Sequence, residues 1–541
     1  MLAILFLGSL QTAQALEDDF ELSLEGYYRM RSYTFKDLYE DYPGKSSYLS
    51  QRLRIQPEIN FQDRAKLMFM TDILDDVVWG DNQSISSTAL FSEIPSNTSE
   101  AGTSIDSFAL KRAWMEIDLA VGKLRVGRQP SHWGMGLLAN SGDGFDDPFG
   151  ENHAGANFDR ILFATKPIAV AQTLMGKTPA DIPFYMGYAF DRLVEDPLIE
   201  YYGYECTKGI PADDEDYNPD CYNEEYDIGG SGETNLEHSY TDDSRQDTDR
   251  DGTWTLDNDD DVTEHVFLGI YKGENIDLFG SKGDLTIGLY GINRNQVESN
   301  SDVWIYDAYL YFLWKKIYME GEILNIRGKS AAIALPGAIN TEEGADPLTK
   351  DVDIWGYAAR AGYKTPTVTA YFETGYASGD DNVADGLFTG RAIHPDYNVG
   401  LLLYDEVLDA VSAARWQGTA SALASGGGVY NSRYIFPVVS TKVLGKFDLV
   451  GGFLKVWPDR PDGAVIQCAE GDDSECETYE ATADHIGWEG NLALKGRLHE
   501  HFLFSFEGGY AEVTDRLKLD AAGLNPDGKF MTIQTRLAYE F

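Results

Sequence analysis

Beyond its first ten residues, this 541-residue chain contains no run of eighteen apolar residues, which excludes helical membrane spans. Basic side chains are scarce. Lys and Arg number 43 against 89 Asp and Glu, for a formal net charge of −46. That balance excludes a broad nucleic-acid surface, which needs a basic stripe. The eight histidines are scattered, and no zinc spacing, P-loop or dinucleotide fingerprint stands out. Ser131 and His132 adjoin in sequence, which does not by itself give a serine–imidazole geometry. The expectation is therefore that the chain is not an enzyme. Cysteines number four, and neither close pair has a histidine at metal-ligand spacing. Local pairing, Cys206 with Cys221 and Cys468 with Cys476, is the simplest of three connectivities. It fits an oxidising compartment, and each bridge would contribute about 2.5–3 kcal/mol through loop closure.

The acid does not imply disorder, because 43% of residues are hydrophobic and 13% aromatic. Gly (54), Tyr (32) and Phe (26) are plentiful, as expected of many strands joined by tight turns. Met1–Leu10 is almost wholly apolar and Ala13-Gln14-Ala15 offers a small-x-small cleavage site. Residues 1–15 therefore read as a secretory signal peptide, short at its start, with residues 16–541 as the mature body.

Period-two alternation dominates that body. In Phe20–Phe35, Phe20, Leu22, Leu24, Tyr28 and Met30 share one face, and Glu21, Ser23, Glu25, Arg29 and Arg31 the other. The run is longer than most soluble strands and suits a tilted membrane-spanning strand of about 9–11 residues with extensions. The pattern recurs at 48–61, 65–74, 107–119, 122–128, 158–165, 183–191, 264–272, 283–295, 303–314, 316–327, 353–363, 367–378, 429–443, 446–456, 485–498, 502–514 and 529–541. That makes about eighteen strands, or sixteen if 122–128 and 158–165 are not strands. Short connections (62–64, 120–121, 364–366, 444–445, 499–501) alternate with long polar ones (75–106, 129–157, 192–263, 328–352, 379–428, 457–484). A long connection at 166–182 and a short one near 296–302 are the exceptions. Segregating loop length by parity is the habit of outer-membrane barrels, with short periplasmic turns and long outer loops.

One face of each strand is built for lipid: Phe184, Met186, Tyr188 and Phe190; Trp304, Tyr306, Leu310, Phe312 and Trp314; Phe502, Phe504, Phe506 and Tyr510. The opposite face is expected to be polar or small, as a water-filled lumen allows. The last strand ends on Phe541, like the C-terminal strands of bacterial outer-membrane barrels. The fold class read from these features is all-β: a closed antiparallel transmembrane barrel in a bacterial outer membrane, with lipid as its main partner.

Val126-Gly127-Arg128-Gln129, leading into a Gly/Trp loop, and Glu373-Thr374-Gly375-Tyr376-Ala377-Ser378-Gly379-Asp380-Asp381 at a strand end resemble the alginate-export type of eighteen-stranded outer-membrane channel. The resemblance implies passive diffusion or export of a polar, anionic solute, a small solute or oligosaccharide. The large acidic loop 192–263 departs from that family.

Inward parity places Arg29, Arg31, Arg52, Arg54, Arg112, Arg125 and Arg160 in the lumen, and closure adds Arg536. Glu25, Glu58, Glu116 and Asp118 lie lower on the same wall. Two readings stand: an anion-selective patch focused by low-dielectric walls, or a neutralised Arg–Glu network that stiffens the wall. Asp247, Asp249, Asp251, Thr253 and Asp257 give the D-x-D-x-D-G opening of a calcium loop, with Asn258 where the usual Glu would stand. A solvated acidic loop is the alternative reading of those residues, and no cofactor is required. Leu401–Thr419, inside the long loop 379–428, reads as a helix that caps the barrel mouth rather than folding inward. Together these features give a passive channel, monomeric or trimeric, for polar and anionic solutes. The alternative is a surface binding or scaffold barrel that anchors acidic calcium-binding loops.

Overall fold

The computed structural model describes residues 20–541 except 41–43, 63, 80–107, 154, 194–261, 297–299, 332–348, 381–384, 416–423, 461–466, 469–475, 478–484, 515–516 and 518. Nineteen strands form one sheet. The two-residue strand Leu387–Phe388 is an addition, lying parallel beside Asp351 and Val352. The other eighteen close an antiparallel barrel. They are β1 (Phe20–Lys36), β2 (Lys45–Phe61), β3 (Ala65–Val78), β4 (Phe108–Leu119), β5 (Gly122–Pro130), β6 (Asn157–Thr165), β7 (Phe184–Leu193), β8 (Thr263–Leu278) and β9 (Ser281–Gln296). The second half is β10 (Ser301–Trp314), β11 (Ile317–Ser330), β12 (Lys350–Lys364), β13 (Val368–Ala377), β14 (Ser432–Val443), β15 (Phe447–Pro458), β16 (Gly487–His499), β17 (Phe502–Val513) and β18 (Lys529–Glu540). Closure is made by β1, which pairs with β2 on one edge and β18 on the other, with Arg31 opposite Arg536. Both weak stretches, 122–128 and 158–165, are strands, so the count is eighteen.

Loop parity holds around the whole barrel, and the two exceptions in length sit on the sides that parity assigns them. Connection 166–183 lies with the short turns and carries helix α1 (Pro167–Leu174), which strand periodicity did not reveal. The four-residue connection 297–300 lies with the long loops. Short turns use left-handed residues whose twist matches the flanking strands. Phe279 and Gly280 have φ of 49° and 79°, and Leu444 and Gly445 have 50° and 68°.

Alternate residues outside form an apolar belt. Leu22 is 70% exposed and Leu289 64%, and Trp304, Tyr306, Ile533, Leu537 and Tyr539 join them. Aromatic clusters mark both rims. Phe453, Trp488 and Tyr510 cluster at the long-loop end, and Phe502, Tyr539 and Phe541 at the other. A belt of this extent would not survive in water. Closed around a sheet with no free edge, it suits hydrocarbon. The chain is a transmembrane β-barrel of the bacterial outer-membrane type.

The inner face corrects one expectation. It is not polar or small throughout. On β8–β12 the upper wall carries Val266, Ile292, Val303, Ile305, Leu324, Ile326, Val352 and Ile354, all buried. Two long loops fold inward and cover that arc. Leu137 and Phe149 come from connection 131–156, and Ile393, Val399 and Leu401–Tyr404 from connection 378–431. The second loop therefore does not cap the mouth. Its helical segment is a π turn, Leu403–Leu408, continuing into α2 (Asp409–Arg415). It goes inside because Leu401, Leu402, Leu403 and Tyr404 are apolar in succession and reach 0% exposure there.

Cys468 faces Cys476 across a two-residue ladder, as local pairing requires of the backbone. Cys206 and Cys221 lie outside the described residues, as do the calcium-loop residues Asp247, Asp249, Asp251, Thr253 and Asp257.

Candidate functional site

Opposite the apolar arc, β1–β6 and β18 carry the arginine wall. Register places Arg29 opposite Arg52 and Arg31 opposite Arg536. Like charges in such positions repel unless a counter-ion intervenes. Connection 131–156 supplies one. Glu151, with a 1% exposed side chain, lies 2.5 Å from Arg29 Nε, 3.3 Å from Arg31 Nη1 and 3.4 Å from Arg536 Nη1. Burial alone would raise the Glu151 carboxyl, but Arg31, Arg29 and Arg536 outweigh it and draw it down to about 2. A depressed carboxyl stabilises above its unfolded pKa, and the effect is lost only as pH falls through about 2.

The same loop supplies Asp143, which accepts two 2.9 Å bonds from Arg112 Nη1 and lies 3.4 Å from Arg54 Nη1. The remaining arginines find carboxylates on neighbouring strands. Arg54 binds Asp72 through two bonds of 2.7 and 2.8 Å. Arg160 binds Asp191 in the same forked manner, at 2.7 and 2.5 Å. Arg52 pairs with Asp75, and Arg125 with Glu116 at 2.5 Å. All eight arginines thus share one arc of the lumen, and all eight are paired.

The neutralising partners are mostly not those on the lower wall. Among Glu25, Glu58, Glu116 and Asp118, only Glu116 meets a member of the set; Glu58 holds Lys66 and Asp118 holds Lys123. Strand parity could have found Asp72 and Asp191. Nothing local could have found Glu151 or Asp143, because loops carry no parity.

The inward loops are seated by wall carboxylates that accept N–H groups, mostly of the backbone. Glu322 accepts from Met135 and Leu137, and Asp307 accepts from Trp133 Nε1 at 2.9 Å. Gly134 lies between these anchors at φ 58°, and a Cβ there would meet Glu322 Oε2 at 2.3 Å. Only glycine fits both constraints. Glu489 accepts from Leu401 at 2.6 Å, Leu402 at 3.2 Å and Leu403 at 2.7 Å. The two loops also bind each other. Asp396 accepts from the N–H of His153 and of Gly155, both at 2.6 Å. Ser131 and His132 are engaged locally: Ser131 Oγ accepts from Arg160, and His132 Nδ1 from the Ser141 N–H.

Across from the arginines, loop 378–431 presents Asp405, Glu406 and Asp409. Burial pushes Asp405 up to about 8, with Glu489 and Asp409 adding and Arg31 opposing. Burial likewise pushes Glu406 to about 8, with Asp405 and Asp409 adding and Arg31 opposing. Raised carboxyls favour the folded loop in their neutral form, so that contribution is lost as pH rises through about 8. The expected result is a loop that grows more anionic and less firmly seated from about pH 7 to about pH 9. Proteolysis of loop 378–431 in the reconstituted protein, compared at the two pH values, checks this; equal cleavage would contradict it.

No protein-family model matches this chain, and no curated protein matches it. Among solved structures, Pseudomonas aeruginosa OccK2 (OpdF), in complex with glucuronate, aligns at 9% identity and TM-score 0.45, covering 96% of this chain and 98% of that one. Pseudomonas aeruginosa OpdK with vanillate aligns at 7% identity and TM-score 0.45, with the same coverage. Acinetobacter baumannii OccAB4 aligns at 9% identity and TM-score 0.45, again with the same coverage.

Proposed function

We propose that the chain is a passive outer-membrane channel for small polar solutes, with a lumen that favours anions. One observation carries this reading: closure of the barrel gathers Arg29, Arg31, Arg52, Arg54, Arg112, Arg125, Arg160 and Arg536 onto a single arc, facing inward loops that narrow the bore. Arginine forks suit carboxylate and phosphate oxygens. Six carboxylates pair with these eight arginines, which leaves a positive excess on the arc, and between low-dielectric walls that excess reaches further than it would at a surface. The net charge of −46 points the other way, but charge in outer loops is screened within about 8–10 Å. Planar-bilayer recording of the purified chain tests the reading. Discrete conductance steps and a reversal potential displaced toward the anion equilibrium potential are expected in a salt gradient. A silent barrel, or cation preference, overturns it.

A second reading is a plugged anchor whose outer loops bind a partner. It is favoured by the depth of loop packing, with Leu401, Leu402, Leu403 and Tyr404 all at 0% exposure inside the barrel. The same recordings separate the two, because a plugged barrel gives no steps.

A further inference from the structure

Connection 166–183 stands at the short-turn end of the barrel, and its helix α1 reads Pro167-Ile168-Ala169-Val170-Ala171-Gln172-Thr173-Leu174. None of these residues is buried. Leu174 is 82% exposed, and Met175 after it 62%. The two polar side chains are engaged within the connection itself. Gln172 Oε1 accepts from the Ala180 N–H at 2.6 Å, and Thr173 Oγ1 donates to Ala169 O at 2.9 Å. A helix apolar on every side ordinarily lies in a protein core or in a membrane. The core does not cover α1, and at eight residues, about 12 Å, it is too short to cross a bilayer.

Its surroundings belong to the lipid-facing wall. Leu119 is exposed on that wall, and Gly122 stands opposite it in the β4–β5 ladder, on the same side. On β6 the exposed Ile161 sets the outward parity, so Phe163 and Thr165 share it. A Cβ on Gly122 would meet the Phe163 ring at 2.9 Å, and Thr165 Oγ1 donates to Val121 O at 2.5 Å. The start of the connection is thereby tied to turn 120–121 on the lipid side. Between that turn and α1 lies an apolar groove of about 360 Å³, lined by Val121, Gly122, Ala169, Val170, Leu174 and Pro179 among others.

Charge agrees with this placement. The chain carries −46 overall, yet residues 167–180 contain one charged side chain, Lys177. It is exposed and follows closely on Leu174 and Met175. Lys166, before the helix, is held by Asp181 at 2.9 Å. A lysine stem lying along apolar surface, with its ammonium at the phosphates, suits a membrane interface.

We propose that α1 is an interfacial anchor in the inner leaflet of the outer membrane, with a phospholipid acyl chain seated in the groove between α1 and turn 120–121. Lys177 then stands at the level of the phosphates. The occupant is lipid because the groove continues a wall that lipid already covers at Leu119 and Phe163. The anchor does not depend on whether the barrel conducts.

Photocrosslinking of the full chain in lipid nanodiscs tests this. The discs contain phosphatidylethanolamine and phosphatidylglycerol, doped with a phosphatidylcholine that carries a diazirine on one acyl chain. Adducts are mapped by peptide mass spectrometry. Lipid adducts are expected on 166–177 as well as on the strand peptides of the belt. Leu174→Gln with Met175→Gln, both exposed positions, should reduce the adducts on 166–177 by about tenfold relative to strand peptides of the same sample. Val121→Gln, on the facing wall of the groove, should act in the same direction. Strand adducts without any on 166–177, adducts undiminished in both variants, or cross-links from 166–177 to a second copy of the chain in place of lipid overturn the proposal.

Discussion

Glu151→Gln is expected to unseat loop 131–156 and turn the lumen strongly toward anions. One carboxylate lies within 2.5–3.4 Å of Arg29, Arg31 and Arg536, and all four side chains are at most 4% exposed. Removing the shared anion leaves three guanidiniums facing one another without compensation. Breaking a buried pair from one side costs about 3–5 kcal/mol, and here three cations lose the same partner. The barrel itself is expected to persist, because its strand ladders and lipid-facing belt do not involve Glu151. The loss should fall on the loop, whose other anchors include Asp307, Glu322, Glu507, Asp396 and the Asp143–Arg112 pair. Higher conductance, a reversal potential moved further toward anions and protease cleavage within 131–156 are the readouts. Unchanged conductance together with an intact loop would mean that Glu151 is not what seats it.

The converse change, Arg29→Gln, Arg52→Gln and Arg112→Gln together, is expected to move permeability several-fold toward cations. Three positive charges leave the wall while Glu151, Asp75 and Asp143 stay. Substitutions on a lumen face tune selectivity more than they disturb a barrel. These three are buried in ion pairs with loop residues as well as strands, so some loosening of 131–156 should accompany the shift. Arg125, whose side chain is 41% exposed, serves as the comparison: Arg125→Gln alone should change selectivity modestly and leave the loop intact. If the triple variant and the wild type share one reversal potential, the arginine wall is structural filling and the acidic mouth decides selectivity.

The barrel was legible in the chain because a strand that faces lipid on one side and lumen on the other must alternate at period two. That rule acts residue by residue. It located all eighteen strands, including the weak pair at 122–130 and 157–165, and the parity of the turns. It also put the eight arginines on the inner face, since parity alone decides which way a strand side chain points. Residues in the outer loops follow no such rule, and their destinations depended on contacts far away in sequence. Trp133 meets Asp307 across 174 positions, Leu137 meets Glu322 across 185, and Arg536 meets Glu151 across 385. The apolar inner arc of β8–β12 departs from the expected polar or small inner face because loops from elsewhere in the chain cover it. Helix α1 hid in a connection whose length alone was unusual. The wall, its strand order and the parity of its side chains are thus written in the chain, because they follow from local alternation and antiparallel closure. What fills the bore, and which carboxylate neutralises which arginine, is set by folding in three dimensions, because carboxylates such as Glu322 and Glu489 meet their backbone partners by proximity across the lumen.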